Sequence, residues 1–150
     1  VPMLFQGQEF LEAGWFRDDV PLVGVHVLAI VPIDASGGRP AVEIIVGNAH
    51  FARFDFTLFD ATGHKVDLIG EGINTDGIPD IFPINGSPVS SLNNFTIFWR
   101  AVVSSATGQP GEEFVVTVRV IQDGVVVGVD PKKGLVTDIP PKGFIRLQVS

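Results

Sequence analysis

From Val23 to Val149 the apolar residues fall on alternate positions in short runs, and glycine, proline, asparagine or aspartate punctuates the runs. A period of two sends successive side chains to opposite faces of an extended strand, so such runs bury one face of a sheet and cannot supply a helical stripe. Arg53 to Phe59 is the cleanest case, with Phe54, Phe56 and Leu58 on one side and Arg53, Asp55 and Thr57 on the other. Asn94 to Val103 sets Phe95, Ile97, Trp99 and Ala101 against Thr96, Phe98 and Arg100, and Glu113 to Ile121 groups Phe114, Val116, Val118 and Val120. Phe144 to Val149 closes the series with Ile145, Leu147 and Val149 on one side. Val23 to Val31 differs: it is apolar on both parities, as expected of a strand covered on both faces, and Pro32 is expected to end it.

Turn chemistry suggests how the runs connect. Asp34 to Pro40 is dense in turn formers and predicts a hairpin between the first strand and Ala41 to Val46. Asp60 to Lys65 predicts a second hairpin returning through Val66 to Ile69, and Gln122-Asp123-Gly124 a third leading into Val125 to Val127. Two stretches, 70 to 92 and 130 to 142, are rich in turn residues and read as loops, the first long enough to be functional. The expectation is an all-β fold, an antiparallel β-sandwich of about seven or eight strands. An immunoglobulin-like order is preferred, and a jelly roll or small barrel would give the same linear pattern.

Composition bounds the function classes. With 150 residues, 45% hydrophobic and 18% charged, the chain can bury one core and is too apolar to be disordered. No apolar run approaches the roughly 18 residues of a membrane span. A net charge of −7 with scattered basic residues argues against a nucleic-acid partner. With no cysteine there is neither a disulfide nor a thiolate metal site, and location stays open, with the cell surface or exterior favoured. The start at Val1, without a basic leader, suggests that the natural start is missing or processed.

A seam lies near residue 22. The segment Met3-Leu4-Phe5-Gln6-Gly7-Gln8-Glu9-Phe10, followed by Trp15-Phe16-Arg17-Asp18, resembles the last barrel strand and following loop of α-amylase-family enzymes, glycogen-branching enzymes in particular. The resemblance covers residues 1–22 only and implies a glucan context. It implies no catalysis, because the strands that carry the family's catalytic carboxylates have no counterpart here, and Glu9 would correspond to a barrel-rim residue. One strand cannot close an eight-stranded barrel, so the segment is read as a remnant, a fusion junction or an extra strand on a sandwich spanning 23–150.

The remaining chemistry-bearing residues are few. Glu112-Glu113 and Asp18-Asp19 are adjacent pairs, which an extended strand points to opposite faces, so neither suits glycoside hydrolysis. His26, His50 and His64 lack a local zinc spacing, and no serine sits in a nucleophile elbow. Glu71, Asn74, Asp76 and Asp80 are the candidate ligands of a calcium ion, the only cofactor suggested, although an EF-type register would place Gly72 and Pro83 where carboxylates are required. An ordinary Asn/Asp turn is the favoured reading.

Sugar binding by a sandwich calls for exposed aromatic rings, and the candidate carbohydrate contacts are Trp15, Phe51, Phe98, Trp99 and Arg100. Trp99 shares parity with Phe95 and Ile97, which favours a core position, and Phe51 with Arg53 could form a small exposed patch. The expected function is therefore a non-catalytic accessory or binding module, with an α-glucan as candidate ligand. The alternative is a structural or adhesion module of a bacterial surface or secreted protein that assembles through strand edges, with its own copies or a neighbouring domain.

Overall fold

The computed structural model describes residues 28–48, 50–75, 77–105, 108, 111–136 and 139–150. These contain nine strands: β1 (Leu28–Ile33), β2 (Ala41–Val46), β3 (His50–Phe59), β4 (Lys65–Thr75), β5 (Asp80–Pro83), β6 (Thr96–Ser105), β7 (Glu113–Gln122), β8 (Val125–Leu135) and β9 (Lys142–Val149). One sheet has the order β1-β9-β6-β3-β4 and the other β5-β2-β7-β8. Every pairing is antiparallel except β1 with β9, which is parallel. The all-β sandwich expected from the period of two is the observed fold.

The core follows from the alternation. Phe54, Phe56, Leu58, Ile97, Trp99, Ile145 and Leu147 descend from the five-stranded sheet onto Val42, Ile44, Val116, Val118 and Val120 of the four-stranded one. Each such side chain contributes about 1.5–3 kcal/mol when fully buried. Phe54, Phe56 and Phe82 form a tilted triad with centroids 5.6–6.0 Å apart. A 3-10 turn (Val89–Leu92) contributes Leu92, which with Ile84 is fully buried.

Two of the expected hairpins form, β3–β4 and β7–β8. In the second, Asp123 and Gly124 have φ of 53° and 76°, the paired positive angles that bring antiparallel strands back in register. The hairpin expected between the first two strands does not form, because β1 and β2 lie in different sheets. Gln122 decides this: its side chain donates to the carbonyls of Asp34 (2.8 Å) and Gly38 (2.9 Å) and accepts from Asp34 N (2.9 Å). Asp123 also accepts from Gly38 N at 3.1 Å, so the 34–40 turn is latched to the β7–β8 turn and carries the chain across the sandwich.

Both expected loops contain strand. Residues 70–75 complete β4 and Asp80–Pro83 form β5, while β8 runs on through Pro131 to Leu135. These are edge strands, where glycines, bulges and a missing amide proton cost few ladder bonds. Pro32 likewise sits inside β1, an edge strand, and does not end it.

Candidate functional site

Alternation places β3 residues 51, 53, 55 and 57 on the outer face of the five-stranded sheet, and register with β4 and β6 sets them in rows. Ser104, Phe51 and Thr75 form one row, Val102, Arg53 and Ile73 the next, and Arg100, Asp55 and Glu71 the third. Phe51, Ile73 and Val102 are 40%, 53% and 54% exposed, and Arg53 stands exposed among them. Arg100 is also exposed, and its Nε donates to Asp55 Oδ2 at 2.9 Å, so that row is already charge-paired. The patch therefore offers one aromatic ring, two aliphatic side chains and a central guanidinium, on a chain whose overall charge is negative.

The other aromatic candidates face elsewhere. Trp99 is fully buried, and its indole Nε1 donates to Asp130 Oδ2 at 2.8 Å, while Lys132 Nζ lies 3.1 Å from Asp130 Oδ1. It is a core residue with no ring face for a ligand. Phe98 has the outward parity expected but is only 8% exposed, stacked on Phe144 at 5.1 Å and clustered with Phe59. Trp15 lies outside the described residues, as does the whole of the amylase-like segment 1–22.

The calcium candidates do not share a site in the described residues. Asn74 is 1% exposed and spent on its neighbours: Oδ1 accepts from Val46 N (2.9 Å), and Nδ2 donates to Ile78 O (2.5 Å) and Asp80 Oδ2 (2.9 Å). Glu71 points to the outer face beside Asp55, whereas Asn74, three positions on in the strand, points inward. Asp76 lies outside the described residues. Among the described residues no group of three or more histidines and carboxylates is gathered as a metal site would need.

The two described histidines are also apart. His50 is buried with Nε2 2.8 Å from Glu113 O, and exposed His64 places Nδ1 2.7 Å from Thr62 Oγ1 in the β3–β4 turn; His26 lies outside the described residues. In that turn the Thr62 hydroxyl, with the backbone amide of His64, holds the Asp60 carboxyl below its usual pKa. Because the folded value is depressed, this hairpin contribution is full above the unfolded pKa of about 3.9 and is lost as pH falls through the lowered value. NMR titration of Asp60 should show the lowered midpoint in wild type and a rise of that midpoint toward the ordinary range in Thr62→Ala, with the backbone amides of Thr62 and His64 still holding part of the shift.

Phe51 and Arg53 are legible in the sequence as a candidate patch, whereas Ile73 and Val102 are not. Ile73 sits between glycines and asparagines in a stretch that reads as a loop, and Val102 lies among apolar residues of both parities. No helix among the described residues is long and apolar enough to cross a membrane. No family model, characterised protein or solved structure matches this chain.

Proposed function

We propose that this chain is a non-catalytic β-sandwich module that works by surface contact, through the patch of Phe51, Arg53, Ile73 and Val102. The observation that carries the reading is that three exposed apolar side chains surround one exposed guanidinium on a flat sheet face. Aromatic and arginine side chains of this kind supply much of the energy of protein contacts, and the central cation selects a partner bearing a carboxylate. The occupant proposed is a second copy of the chain or a neighbouring domain, in a surface or secreted bacterial protein.

Contact through a sheet face is favoured over contact through strand edges. Each edge carries a device that discourages pairing: Pro32 in β1, two register shifts in β4, the four-residue length and Pro83 of β5, and Pro131 with Lys132 and Lys133 in β8.

An α-glucan is the second reading, and one observation favours it. Phe51 is flanked in register by the hydroxyl residues Ser104 and Thr75, so a ring face and hydrogen-bonding groups lie side by side. The amylase-like resemblance of residues 1–22 gives the same ligand class.

Sedimentation velocity over a concentration series, with retention on starch, glycogen and cellulose, tests both readings. Phe51→Ser is expected to weaken whichever contact the wild type makes by about tenfold or more, the equivalent of about 1.4 kcal/mol. Association or retention that is unchanged in Phe51→Ser removes the patch from the function. A chain that stays monomeric and is retained on no glucan removes self-association and glucan binding.

A further inference from the structure

We propose that Asn85 is a self-modifying site, at which the Asn85-Gly86 pair converts through a cyclic imide to aspartate and isoaspartate and so releases the loop after β5 from the edge strand β4. This is the chain's single Asn-Gly pair. Asn85 is exposed, and among the described residues the Gly86 amide donates no hydrogen bond. Among the described residues the Asn85 side chain makes one weak bond, from Nδ2 to Asp67 Oδ2 at 3.3 Å.

The chemistry needs only water. Loss of the Gly86 amide proton lets that nitrogen attack Asn85 Cγ; the new C–N bond forms as the bond from Cγ to Nδ2 breaks, and ammonia leaves with a proton. Water then adds to one of the two imide carbonyls and opens the ring to aspartate or isoaspartate, with no oxidation or reduction. A side chain at residue 86 would hinder the attack, and packing forbids one: a Cβ there would lie 2.5 Å from Leu92 Cδ2. Burial of Leu92 thus keeps the glycine, and the glycine keeps Asn85 reactive.

The product changes the contacts in a definite direction. A carboxylate replaces the amide donor beside the Asp67 carboxylate, so an attraction between β4 and the loop becomes a repulsion and the net charge goes from −7 to −8. The isoaspartyl form also adds a methylene to the main chain, between fully buried Ile84 and the tight contact of Gly86 on Leu92. The end of the sandwich built on Ile84 and Leu92 is expected to loosen.

The test is incubation of the full chain at mildly alkaline pH, with peptide mapping by mass spectrometry over time. A gain of one mass unit with isoaspartate is expected at Asn85 first, ahead of Asn48, Asn93, Asn94 and buried Asn74, together with a Tm fall of about 3 °C. Asn85→Gln should abolish that gain without loss of fold, and Asn85→Asp should reproduce the charge change at once with part of the Tm fall. Conversion of another asparagine before Asn85, or full conversion of Asn85 with Tm unchanged, overturns the proposal.

Discussion

Trp99→Ala is expected to destabilise the protein by about 4–5 kcal/mol, the upper range for truncating a large buried aromatic, and to lower Tm by more than about 10 °C. Two effects add. The fully buried indole leaves a cavity at the centre of the five-stranded sheet, and Asp130, 7% exposed, loses the donor on Oδ2. Lys132 still reaches Oδ1, so the carboxylate is not left wholly unpaired. Trp99→Phe separates the contributions: most of the packing returns and the hydrogen bond does not, for a residual loss of about 1–3 kcal/mol. Urea unfolding followed by far-ultraviolet circular dichroism reads both variants. A loss below about 1 kcal/mol in Trp99→Ala would show that Trp99 does not lie at the centre of the core.

Asn74→Ala should cost about 3 kcal/mol, a large effect for a small polar side chain. One carboxamide satisfies the backbone amide of Val46 in β2, the carbonyl of Ile78 in the β4–β5 turn and the carboxylate of Asp80 at the start of β5. Truncation leaves a buried β2 amide without its acceptor and unties the turn that leads to β5. Asn74→Asp is expected to be no milder, because it keeps the acceptor but loses both donors and places a second carboxylate beside Asp80. Calcium should neither raise the wild-type Tm nor rescue either variant. A wild-type Tm raised by calcium, with the rise lost in Asn74→Ala, would show instead that Asn74 serves as a ligand.

These two residues show what can be read from order along the chain. Trp99 was placed inside by its parity with Ile97 and Ala101, which depends on neighbours two positions away. Asn74 reads as part of an ordinary Asn/Asp turn, with calcium the other candidate, because Ile78 and Asp80 are near it in sequence, whereas Val46, whose amide it accepts from, is 28 positions away and shares no local pattern with it. Phe98 makes the same point from the other side. Its outward parity was correct, yet stacking on Phe144, a strand partner 46 positions away (144 − 98), takes it out of solvent.

By itself the sequence determined the strand period, the inward set of side chains and the two hairpins whose turns hold the needed residues, since all of these depend on contacts within a few positions. Tertiary structure alone decided how the strands outside those two hairpins became neighbours. The side chain of Gln122 crosses 88 positions to hold the Asp34 turn and sends β2 into the second sheet, where local turn chemistry had predicted a hairpin. It also decided which outward residues meet as a surface. Phe51, Ile73 and Val102 come from three strands, and only the register among those strands, fixed by the packed face beneath them, brings the three around Arg53.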